Sequence, residues 1–145
     1  MPRTTQETCA LVLEEHRLLR KRMDALEELM QQPSHHATLR AEGLSFLVQL
    51  GVHLNAEEAL LLPLIRALPT LGEPCGERLT EEHRSQRRDM LELRTLLLRA
   101  DTSGAAVAKL LRTFIRGLRM DMAQEEEGIL REVSLELSDN ESVAS

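Results

Sequence analysis

Along nearly the whole chain, apolar residues recur at three- and four-residue intervals, and Leu, Ala, Glu and Arg dominate. That period is the signature of amphipathic helices, so the pattern predicts an all-α chain of four helices without strands. The first helix is expected from about Thr5 to Gln31, ended by Gln32-Pro33. The second is expected from Ser34, a suitable N-cap, to Leu68, with a late kink at Pro63. Two Pro and two Gly without periodicity mark Pro69 to Gly76 as the longest loop. A third helix then runs from about Thr80 to Ala100, the turn Asp101-Thr102-Ser103-Gly104 comes next, and a fourth helix persists to about Leu137. Residues 138–145 are small and polar and read as a frayed tail. The expected organisation is one domain over residues 1–137 with that tail.

The two halves resemble each other. At a spacing of 67, Glu14-Glu15-His16-Arg17 falls on Glu81-Glu82-His83-Arg84, and Arg20, Met23, Leu26 and Leu29 fall on Arg87, Met90, Leu93 and Leu96. At a spacing of 68, Phe46, Leu50, Glu57, Glu58 and Leu62 fall on Phe114, Leu118, Glu125, Glu126 and Leu130. Two similar αα-hairpins associate most simply as an antiparallel up-down four-helix bundle of approximate two-fold symmetry, which brings equivalent residues to one level.

Each expected inward stripe carries a metal-competent residue. The first reads Cys9, Val12 or Leu13, His16, Leu19, Met23, Leu26 and Met30; the third reads Leu79, His83, Gln86, Met90, Leu93 and Leu97. In the second, Phe46, Leu50, His53, Glu57, Leu60 and Leu64 line up, with His53 and Glu57 stacked four residues apart. The fourth offers Leu111, Phe114, Leu118, Asp121, Glu125 and Ile129. An ionised carboxylate in an apolar stripe is costly unless paired or metal-bound. Glu57, Asp121 and Glu125 converge here with no Lys or Arg in the stripes near their level. A multivalent cation is the simplest neutralising partner. Three imidazoles with three carboxylates suit iron, with manganese as the alternative, better than four-coordinate zinc or oxygen-seeking calcium.

Composition narrows the function. With two Phe and neither Tyr nor Trp, the chain lacks aromatic base-stacking platforms and any tyrosyl radical, and a net charge of −6 opposes broad phosphate binding. No nucleic-acid partner is expected. No membrane association is expected either, because no apolar run approaches the length that spans a bilayer and the first residues lack a signal-peptide pattern; the expected location is cytoplasmic. Cys9 and Cys75 are too few for a disulfide framework and read as free thiols. His35 and His36 read as surface residues. Glu14, Glu15, Glu58, Glu81, Glu82, Glu126 and Glu127 are expected to face solvent.

Over roughly residues 8 to 135 the chain resembles the hemerythrin-like HHE cation-binding domains, whose four helices supply His, His-x-x-x-Glu, His and His-x-x-x-Glu in that order. His16, His53, Glu57, His83 and Glu125 match that pattern by position; Asp121 stands where the family has His. The resemblance implies a non-haem di-iron centre bridged by two glutamates that binds or reacts with dioxygen, peroxide or nitric oxide. The expected metal set is therefore His16, His53, Glu57, His83, Asp121 and Glu125. If Asp121 ligates, its hard anionic oxygen favours the ferric state, which argues against reversible oxygen carriage and toward slow redox chemistry, sensing or iron holding. Two other readings stay open: an enzyme with weak oxidase- or peroxidase-type turnover, and a metal-poor helical scaffold that regulates a protein partner. Association with a protein partner or a second copy is likewise left open.

Overall fold

A computed structural model describes residues 4–32 and 35–135. The described residues form an all-α four-helix bundle. The helices are α1 (Thr5–Met30), α2 (His36–Ala56) continued by α3 (Leu62–Ala67), α4 (Gly72–Leu98) and α5 (Gly104–Glu125). Helix α1 starts where Thr4 accepts from the Glu7 backbone N–H at 3.0 Å while the Glu7 carboxylate accepts from the Thr4 N–H, a reciprocal capping box. Ser103 caps α5 by accepting from the Ala106 N–H at 3.1 Å. The expected N-cap Ser34 and the expected tail lie outside the described residues.

The expected loop Pro69 to Gly76 is mostly helical, and α4 begins at Gly72 rather than near Thr80. Each breaker there has a helical use. Gly72 takes φ 59°, a left-handed turn that L side chains resist, directly after the short 68–71 connection. Pro74 sits in the first turn of α4, where its missing N–H has no partner to lose. At Gly76 a Cβ would lie 3.0 Å from the Arg66 side chain, so the glycine lets α3 and α4 pack closely.

Between α2 and α3 the chain makes a π-helical turn, Glu57–Leu61, in which the Leu62 N–H donates to the Glu57 carbonyl five residues back. A matching π turn, Glu126–Leu130, succeeds α5 and leads into further helix over residues 131–135. The late irregularity expected from Pro63 is present, yet the second π turn has no proline after it, so Pro63 is not its general cause. Each π turn absorbs one extra residue and rotates the helix beyond it by about 100°. The buried positions past Glu57 are therefore Leu61, Leu62 and Ile65, not the expected Leu60 and Leu64. Past Glu125 they are Leu130 and Val133, not Ile129.

Two apolar cores result. One contains Leu19, Met23, Phe46, Leu50, Leu93, Leu111, Ile115 and Leu118; the other contains Cys9, Val12, Leu61, Ile65, Leu79, Leu130 and Val133. On every helix the residues that separate them in sequence include buried polar groups: His16, His53 with Glu57, His83, and Glu125. The bundle thus carries a polar belt between two dry layers. No helix of the described residues is long and apolar enough to cross a membrane.

Candidate metal centre

Four belt residues come together tightly. One donor atom from each of His16, His53, Glu57 and Glu125 lies within 4.8 Å of the others, and all four side chains are buried. His16 Nε2 is 3.3 Å from Glu125 Oε1 and 3.6 Å from Glu57 Oε1. His53 Nε2 lies against the same Glu57 oxygen, one helical turn along. His83 stands on the far side, its Nε2 3.7 Å from Glu57 Oε2. The two oxygens of Glu57 thus face different imidazoles.

Asp121 is not drawn into the group of four. It is half-buried, and its Oδ2 accepts from Gln86 Nε2 at 3.0 Å. The one-turn spacing that aligns His53 with Glu57 holds for residues 121 and 125, but aspartate is too short to cover the distance an imidazole would.

A second layer of carboxylates fixes the rings. His16 Nδ1 donates to Glu126 at 2.8 Å, His53 Nδ1 to Glu15 at 2.8 Å and His83 Nδ1 to Glu58 at 3.1 Å. In the neutral ring, the form that can ligate a cation, each bond selects the tautomer whose Nε2 lone pair points into the belt. Arg20 pairs with Glu126 at 2.6 Å, and Arg87 Nη2 donates to Glu58 at 2.9 Å. The two Arg–Glu–His chains are related by the internal repeat, and each crosses from one half of the chain to the other. Glu15, Glu58 and Glu126, expected to face solvent, are thus corrected to ring-holding groups. Their signal was present in the repeat itself, which matches Arg20 with Arg87 and Glu58 with Glu126. Glu82, also expected in solvent, is half-buried beside Asp121; burial first, and then the Asp121 charge, push its carboxyl up to about 7. Glu14 and Glu81 are exposed and paired with Arg17 and Arg84, His35 and His36 are exposed, and both cysteines are free and buried.

Electrostatically the belt behaves as a site for positive charge. Burial opposes protonation of the imidazoles, but the surrounding carboxylates outweigh it: His16 is pushed up to about 10, and His53 and His83 are raised. Burial likewise opposes ionisation of Glu57, yet the three imidazoles that face it hold it well below the usual carboxylate range. Glu125 goes the other way, to about 8, because burial dominates and the Glu57 charge faces it. Protons therefore sit where a cation's charge would be felt. His16 Nε2, His53 Nε2, Glu57 Oε2 and Glu125 Oε1 are buried without hydrogen-bond partners. A buried polar atom left unpaired costs about 1–3 kcal/mol, so four on one site fit a donor set built for a cation.

Dry layers above and below, imidazoles held by outer carboxylates and inward lone pairs define a cation-binding four-helix protein. The sequence profile of the hemerythrin HHE cation-binding domain matches residues 9–133, and the chain belongs to that family. No curated protein and no solved structure matches it.

Proposed function

We propose that the belt holds two iron ions and that the protein binds or reacts with dioxygen or a related small molecule such as peroxide or nitric oxide. The observation that carries this reading is the straddling carboxylate of Glu57, with Oε1 toward His16 and His53 and Oε2 toward His83. One carboxylate thereby addresses two adjacent positions. His16, His53, Glu57 and Glu125 would hold the first ion; His83 and the other Glu57 oxygen would serve the second, with Asp121 beside it rather than on it and with manganese as the alternative metal. Bound iron supplies redox chemistry and coordination positions for a small molecule.

The chain's own residues prepare that chemistry. Glu126, Glu15 and Glu58 take the Nδ1 protons, keep the rings from turning and raise their basicity. Glu57 supplies a standing negative charge, and the apolar layers exclude bulk water. The first position is richly provided with donors, whereas the second has Asp121 turned toward Gln86. That imbalance supports reaction at the second position, where fewer protein donors compete with an incoming molecule, over symmetric reversible carriage. The test is metal analysis and optical spectroscopy of protein purified aerobically from iron-replete cells, with about two iron atoms per chain expected for a bridged site. Without Tyr or Trp, near-ultraviolet absorption should come almost wholly from the centre. A colourless, iron-free protein would overturn the reading and favour the scaffold.

A further inference from the structure

Beside the belt, α4 and α5 stand apart and leave a groove of about 580 Å³. It begins at Glu82 and Asp121 and ends around Leu96 and Lys109. At the helical rise, the stretch from Glu82 to Leu96 is about 20 Å long. A volume of this size suits an organic ligand and far exceeds what a diatomic molecule needs. Leu93, Leu96, Leu110, Phe114 and Leu118 line it. Gly117 keeps it open: a Cβ there would meet nothing within 4 Å, and the matching position of the first half is Gln49.

The charge of the groove is one-sided. Glu82, Asp89, Glu92 and Asp121 line it against a single cation, Lys109, at the end away from the belt. Among the described residues, none of these four carboxylates is paired with a Lys or Arg. The inner wall carries a second, independent sign. Gln86 is 7% exposed, its Nε2 is committed to Asp121, and its Oε1 is buried without a partner. The matching residue of the first half is Leu19, wholly buried in the core, so the bundle does not need an amide at this position. An unpaired carbonyl beside a carboxylate, at the end of an apolar trough, is an acceptor pair for a positively charged donor.

We propose that the α4–α5 groove binds an amphipathic organic cation, with a primary ammonium at Asp121 and the Gln86 carbonyl and an apolar chain along Leu93, Phe114 and Leu118. The ammonium's three N–H donors match the two Asp121 and Gln86 acceptors with Glu82 nearby, and the chain covers apolar surface that α4 and α5 leave open. An anion of the same shape meets four carboxylates and is rejected. The groove is built by α4 and α5 alone, so the proposal does not depend on which ion the belt holds.

The test titrates octylammonium, octanol and octanoate calorimetrically into the full chain, as purified and after metal removal, with iron measured on every sample. Octylammonium should bind about tenfold more tightly than octanol, the worth of one charge-assisted contact, and octanoate more weakly than either. Asp121→Asn should erase the preference for the ammonium while leaving octanol binding in place. Gly117→Leu, whose side chain enters open space and favours the helix over glycine, should weaken octylammonium and octanol alike at a melting temperature no lower than the parent's. Equal affinity for octanoate and octylammonium, no binding of octylammonium, or a Gly117→Leu variant that binds as the parent does would each overturn the proposal. Loss of iron with octylammonium binding retained would sink the iron reading and leave this one standing; iron retained without octylammonium binding would do the reverse.

Discussion

An imidazole restored at position 121 should find its outer partner already in place. In the first half, His53 lies one turn before Glu57 and donates to Glu15 at 2.8 Å. Glu82 holds the place of Glu15 in the second half, but there it faces Asp121, whose charge and the local burial push it up to about 7. Asp121→His replaces that repulsion with a charge-assisted hydrogen bond worth about 1.5–3 kcal/mol and strands Gln86 Nε2, which costs about 1–3 kcal/mol. The terms offset, so the metal-free melting temperature should move by no more than about 5 °C for a domain of this size. Metal binding should change far more. The substitution adds a nitrogen donor to the poorer position, and an outer carboxylate on a ligating imidazole is worth about 10- to 100-fold in metal affinity, or about 1.4–2.7 kcal/mol. Glu82→Gln should therefore lower metal affinity by that factor in the Asp121→His background and by less than about threefold in the parent. Competition with a chelator, read by metal analysis across the four-member cycle, measures the coupling. Equal effects of Glu82→Gln in both backgrounds would refute the symmetry argument.

Chelation should lower the melting temperature by about 5–10 °C at metal concentrations near a hundred times the dissociation constant. Glu125→Gln should weaken metal binding and leave the metal-free chain no less stable by thermal denaturation, whereas Glu57→Gln should weaken metal binding and also destabilise the metal-free chain, because it removes the charge that the three imidazoles face. Glu126→Gln and Glu58→Gln, which replace the charged acceptors of His16 and His83 by neutral amides, should each cost about 10- to 100-fold in metal affinity by the same competition assay. In the metal-free chain the raised His16, at about 10, contributes stability that is full below its ordinary 6.5 and is lost as pH rises through 10. The raised Glu125, at about 8, contributes stability that is full below 4.5 and is lost as pH rises through 8. Metal-free stability should thus fall from neutrality toward pH 10, whereas ligation needs those protons removed, so the gap between metal-bound and metal-free melting temperatures should widen. A flat metal-free profile in denaturant titrations over that range would contradict it.

The helical period made much of this molecule legible. Periodicity is local, so the stripes of α1 and α4, the stacking of His53 on Glu57 and the burial of His16, His83 and Glu125 all come from spacing in the chain, and the internal repeat brings them to one level. The breakers between α3 and α4 misled because Pro and Gly carry different meanings inside a loop, in a first helical turn and at a close helix contact. Only the tertiary structure decided the register past Glu57 and Glu125, where each π turn moves burial by one residue. It also decided which carboxylate holds which ring. His16 takes Glu126 and His83 takes Glu58, pairs that join opposite halves of the chain. A helix can place a glutamate on one of its own faces, but the partner that face meets depends on the rotation of the neighbouring helix, and packing sets that rotation. The same non-local choice turned Asp121 toward Gln86 and opened the groove between α4 and α5.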